Sequence, residues 1–148
     1  MRSPDPLAFN ARTILPYPPR AYQACIMSKT NARRNEMKFN QEAPAFVQDE
    51  VFIEATPEKV WAVHTAVDSW PEWQPDVSRA KLEGPLAVGS VFRWHSRGAN
   101  IVATIREVEP ERRIGWTGKA LGTRAVHTWT LTPQVGGVLV QTEESMEG

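Results

Sequence analysis

Val91-Phe92-Arg93-Trp94-His95-Ser96, Ile101-Val102-Ala103-Thr104-Ile105-Arg106, Arg113-Ile114-Gly115-Trp116-Thr117-Gly118 and Ala125-Val126-His127-Thr128-Trp129-Thr130-Leu131 are four short runs rich in β-branched and aromatic residues. Breaks containing Gly, Pro or charged residues separate them, which is the signature of consecutive strands joined by turns. Side chains of a strand alternate between its two faces, and residues directly opposite on antiparallel neighbours share a face. Turns at Arg97–Asn100, Glu109–Arg112 and Lys119–Gly122 predict the pairs Trp94–Ala103, Ile105–Trp116 and Trp116–Ala125. A turn at Pro133–Gly137 adds a last strand, Val138–Glu144, with Trp129 opposite Val140, His127 opposite Thr142 and Ala125 opposite Glu144.

One face of the meander then carries Phe92, Trp94, Ile105, Trp116, Trp129 and Val140, and the other carries Arg93, His95, Arg106, Arg113, Lys119 and Thr128. A slip of one residue would drive the charges into the core, so parity is firmly specified. Ala103, Gly118 and Ala125 fall between the large rings, and flat aromatics beside small residues suit the wall of a concave space. A packed core is the competing reading of the same face.

The remaining elements lie upstream. Phe46–Glu54 reads as a first strand. Thr56 is placed as a helix N-cap, Pro57 suits the first helical position, and Glu58 complements the dipole. Val60, Val63 and Val67 form a helical stripe. Trp70-Pro71-Glu72-Trp73 supports only a short helical turn, with both tryptophans facing inward, and Ala80–Glu83 is a short second strand. The sum is seven strands and two short helices between the first and second.

Composition narrows the function. Seventeen basic and 17 acidic residues balance, which favours neither nucleic acid nor a charged surface as partner. The balance is uneven along the chain: residues 1–44 are basic and proline-containing, reading as a disordered leader, and residues 45–148 are mildly acidic. No apolar run approaches the ~18 residues of a membrane span, no secretory signal is present, and Cys25 has no partner cysteine, so a cytoplasmic location is expected. No cofactor or metal is expected: His64, His95, His127 and Cys25 show no short ligand spacing, and there is no Gly-x-Ser-x-Gly nucleophile elbow.

The segments Ala55-Thr56-Pro57-Glu58-Lys59-Val60-Trp61, Trp70–Asp76, Val88–Trp94, Val108-Glu109-Pro110, Ile114–Gly118 and His127–Pro133 resemble the polyketide cyclase/dehydrase and lipid-transport family. This is part of the SRPBCC superfamily, with START-type and birch-allergen-type members. The resemblance covers residues 45–148 and implies an α+β helix-grip fold: a curved seven-stranded antiparallel sheet with two short helices after the first strand. It also implies a long C-terminal helix and a hydrophobic cavity between helix and sheet. That helix would begin about where Gly148 stands, so the expectation is a C-terminally truncated domain, or a sheet face covered by a partner or a second copy.

The functional expectation is a small hydrophobic ligand, such as a lipid, sterol or aromatic polyketide, bound on the concave face. Trp73, Phe92, Trp94, Ile105, Trp116, Trp129, Val140 and Thr142 would be its contacts. His127 and Glu144 form a polar corner that would orient a polar group or, in a cyclase or dehydratase, act as acid/base. A non-catalytic module docking another chain on the open face is the third reading. His64 is expected to pack rather than react.

Overall fold

The computed structural model describes residues 42–148; the leader expected over residues 1–44 lies almost wholly outside them. Seven strands form one antiparallel sheet: β1 Ala45–Ile53, β2 Val77–Glu83, β3 Val91–Ser96, β4 Ala99–Glu109, β5 Arg113–Ala120, β6 Thr123–Gln134 and β7 Gly137–Glu147. Their spatial order is β1-β7-β6-β5-β4-β3-β2, so the meander β2 to β7 is closed by the first strand pairing with the last. Between β1 and β2 lie α1 (Pro57–Thr65), a 3-10 turn (Val67–Ser69) and α2 (Trp70–Trp73). This is the helix-grip α+β arrangement anticipated from the sequence.

The predicted faces hold, but three hairpin registers differ by two residues. Trp94 lies opposite Ile101, Trp116 opposite His127 and Trp129 opposite Thr142. The turns are tighter than the four-residue breaks read from the sequence. Arg97-Gly98 and Leu121-Gly122 both have positive φ, the geometry of two-residue hairpins whose twist matches the flanking strands. An even shift leaves the side chains of these three hairpins on their predicted faces. A bulge at Arg106 shifts the β4–β5 register, so that Val108 rather than Glu107 lies opposite Ile114. A second lies in β2 near Ser78, and bulges of this kind bend a strand.

α1 begins as read: the Thr56 side chain accepts from the Lys59 N–H, and Pro57 occupies the first turn. Its buried stripe is not the valine series. Val60, His64 and Val67 are buried, whereas Val63 is only half-buried. The helix ends at Thr65, and Val67 belongs to the 3-10 turn that follows. Asp68 ties this turn to β2, its carboxylate accepting from the Lys81 ammonium and the Leu82 N–H. Those bonds hold its pKa below the usual carboxylate range, Lys81 contributing most.

The core lies between the sheet and the two helices. Phe92, Ile105, Ile114, Leu131, Val138 and Val140 are among its buried strand residues. Aromatic edges and faces interlock above them: Trp70 meets Phe92 and Trp94 edge-on at 5.7 Å, and Phe92 meets Trp116 edge-on at 5.2 Å. Such pairs contribute about 0.5–1.5 kcal/mol each beyond area burial. The outer face is not uniformly solvated, since Thr128 and Ser145 are buried there beside longer neighbours.

Candidate functional site

A cavity of ≈550 Å³ opens on the inner face of the sheet. The spacing of large and small side chains creates it. Gly118 and Ala125 are directly opposed on β5 and β6, and Trp94, Trp116 and Trp129 stand beside them. A Cβ added at Gly118 would meet nothing closer than 3.7 Å, so the position has room for a small side chain without a clash. Trp70 and Trp73 of α2 close the opposite side. Trp70 is fixed by donating its indole N–H to the His64 carbonyl at 2.9 Å. Arg97, Lys119 and Leu121 gather at one end, around the β3–β4 and β5–β6 turns.

The predicted site residues divide into two sets. Trp73, Trp94, Trp116, Trp129, His127 and Glu144 line the cavity. Phe92, Ile105 and Val140 do not: each is almost wholly buried in the core that supports the wall. Their inward direction was legible, but inward positions near the closed end of the sheet are covered by neighbours. Thr142 does not line the cavity either. Its hydroxyl lies 2.7 Å from His127 Nε2 and fixes that ring.

His127 and Glu144 are cross-strand partners, and His127 Nδ1 lies 3.7 Å from a Glu144 carboxyl oxygen. His127 is sandwiched between Trp116 at 4.9 Å and Trp129 at 5.2 Å. Burial disfavours its charged form and lowers its pKa from 6.5 to about 3, with the nearby His64 adding to the effect. Burial acts in the opposite direction on an acid and raises Glu144 from 4.5 to about 7. Between about pH 4 and 6 the corner is therefore uncharged, a neutral imidazole beside a protonated carboxyl, and near neutrality Glu144 exchanges its proton while His127 stays neutral.

His64 belongs to this site too. It is 6% exposed, lines the cavity and lies 4.6 Å from Trp129 and 6.1 Å from Trp116, ring centre to ring centre. Its Nδ1 has no hydrogen-bond partner among the described residues, and desolvation lowers its pKa to about 4. The signal was present in the sequence: His64 is four residues after Val60 and three before Val67, on the stripe assigned to the valines. Among the described residues no group of three or more His, Cys, Asp and Glu side chains is placed to hold a metal, and no helix is long and apolar enough to cross a membrane.

A seven-stranded antiparallel sheet, two short helices after its first strand and an aromatic-walled cavity on the inner face define a helix-grip fold. The sequence model of the polyketide cyclase / dehydrase and lipid transport family matches residues 44–148, and the chain belongs to that family. No match was found among curated proteins. Solved structures share the fold. A hypothetical protein from Helicobacter pylori aligns over 83% of this chain and 82% of its own, with 22% identity and a TM-score of 0.69. A START superfamily protein from Mycobacterium smegmatis aligns over 69% and 76%, with 15% identity and a TM-score of 0.59. DynU16, from the dynemicin biosynthetic locus, aligns over 70% of this chain with 23% identity and a TM-score of 0.58; this chain spans 38% of its length.

Proposed function

We propose that the cavity binds a small, largely apolar ligand of the lipid, sterol or aromatic polyketide class. The observation that carries this reading is the aromatic wall: five of the six tryptophans, at positions 70, 73, 94, 116 and 129, line one ≈550 Å³ space. That volume falls within the usual range of small-molecule sites, which are lined mainly by apolar and aromatic side chains with few polar groups. Planar ring faces favour a flat ligand, which gains stacking or edge contacts in addition to burial. Family membership supports the same class. Glu144 and His127 orient its polar end.

The sixth tryptophan, Trp61, is not part of the lining, so intrinsic fluorescence reports chiefly on the site. Titration with representative lipids, sterols and aromatic polyketides is expected to give a saturable change for at least one class. No saturable change with any of them, in a protein whose circular dichroism shows a folded sheet, refutes the proposal.

An enzymatic reading is favoured by the fixed acid–imidazole pair, but the electrostatics move its proton chemistry from His127 to Glu144. An imidazole near 3 is a feeble base at neutral pH, whereas a carboxyl near 7 is matched to it. With a ligand in hand, turnover that survives His127→Ala but not Glu144→Gln supports this version; turnover unaffected by Glu144→Gln rejects it.

A further inference from the structure

The wall of the cavity is rich in hydrogen-bond donors that have no acceptor. An indole N–H donates and cannot accept. Trp73 Nε1 and Trp129 Nε1 are buried without a partner among the described residues, and both side chains belong to the lining. Buried polar groups are rarely left in that state.

Glu144 adds a third donor, for reasons of geometry. Its side chain is 17% exposed and lies along the cavity. His127 Nδ1 is 3.7 Å away, beyond hydrogen-bond reach, and the ring's Nε2 is engaged with Thr142. On the other side Glu144 faces Val47 of β1. Asp49, further along the same face of β1, lies opposite Thr142 and is exposed to solvent. From α1 the facing titratable group is His64, which burial keeps neutral. Of the cations in the lining, Arg97 is paired with Asp76, and Lys119 is exposed three residues along β5 from Trp116. A carboxyl so enclosed, with no lysine or arginine ion pair among the described residues, favours its protonated form below neutral pH and then offers an O–H to the cavity.

Resting on the reading of this cavity as a ligand site, we propose that Glu144 sets its specificity by donating a hydrogen bond to a carbonyl oxygen of an uncharged aromatic ligand. A carbonyl fits this wall better than a hydroxyl. It accepts two hydrogen bonds and brings no proton that needs an acceptor of its own. An ionised ligand group at this corner would be buried without a counter-charge.

The test compares 2-acetylnaphthalene with 2-ethylnaphthalene, which share a ring system and shape but differ in the carbonyl. Equilibrium dialysis at pH 6.0 and 8.5 gives the ratio of their affinities for the wild type, Glu144→Gln and Glu144→Leu, each checked for folding by circular dichroism. At pH 6.0 the Leu variant is expected to lower the ketone-to-hydrocarbon ratio about tenfold, the scale of one good hydrogen bond. The wild-type ratio is expected to fall about fivefold between pH 6.0 and 8.5, because the carboxylate formed at higher pH repels the carbonyl oxygen. The Gln variant, whose amide donates but cannot ionise, is expected to keep one ratio at both pH values. A wild-type ratio that does not change with pH, or a Leu variant with the wild-type ratio, overturns this inference while leaving the cavity a hydrophobic site. Failure of both naphthalenes to bind overturns this inference, and the reading of the cavity as a ligand site falls only if the fluorescence titrations with lipids, sterols and polyketides also give no saturable change.

Discussion

Replacing Glu144 with glutamine isolates the cost of keeping a carboxylate in an apolar wall. Burial raises this group from 4.5 in the unfolded chain to about 7 in the folded one. The sign follows from proton binding. Between those values the folded state holds the proton and the unfolded state does not. The contribution of Glu144 is therefore fully present below pH 4.5 and lost as pH rises through 7. The shift corresponds to about 3 kcal/mol at pH 8. Glutamine is nearly isosteric and cannot ionise, so it carries no such penalty. Urea unfolding of both proteins at pH 4.5 and pH 8 measures the difference directly. The two are expected to be of similar stability at pH 4.5, with Glu144→Gln about 3 kcal/mol more stable at pH 8. An equal difference at both pH values would refute the idea that burial of the charge, rather than local packing, governs this position. A stabilising change at a lining residue would also mark Glu144 as kept at some cost to the fold, as binding residues commonly are.

Three further outcomes follow from the same structure. The folded-state pKa values of His64 and His127, about 4 and about 3, lie below the unfolded 6.5, so their contribution is present above pH 6.5 and lost on acidification. In the Glu144→Gln background, which removes the opposing titration, lowering the pH from 7 to 5 is expected to cost about 2 kcal/mol per histidine, and His64→Gln should halve that loss in urea midpoints. A Cβ at Gly137 would lie 2.2 Å from the Ile53 carbonyl oxygen, so Gly137→Ala must displace β1 from β7; thermal and urea unfolding should show a loss of about 2 kcal/mol or more. Leu121 occupies the first turn position with φ +50° and is 87% exposed, so Leu121→Asn is expected to raise stability by about 1 kcal/mol, read as a higher urea midpoint.

The sheet was more legible than the site, for a physical reason. Strand faces depend only on the parity of alternation, and parity survived even though Trp94, Trp116 and Trp129 each have a different partner from the one expected. Turn length carried the error: Arg97-Gly98 and Leu121-Gly122 tolerate positive φ without the Asn-Gly or Asp-Gly signal that marks a two-residue hairpin. The cavity depends on which inward residues are covered, a tertiary property. Phe92 and Trp94 share a face and a strand, yet one is sealed in the core and the other borders the hollow. Period-two reading cannot separate them. The polar corner was recognised as His127, Thr142 and Glu144, but His64 was hidden because α1 was read by its valines, and the ring that completes the cluster comes from the helix rather than the sheet.

The pairing of β1 with β7 has a consequence for how the chain is made. Gln48 and Glu143, 95 positions apart, share a hydrogen bond across this junction. On the ribosome β1 emerges first and has no partner until β7 follows, while β2 to β6 can pair hairpin by hairpin as they appear. The rate of reaching the native state is then governed by the meeting of two distant segments, a slow class of event because loop closure must precede any gain. In that interval β1 waits with both edges unpaired, and an unpaired strand edge is where one nascent chain captures another.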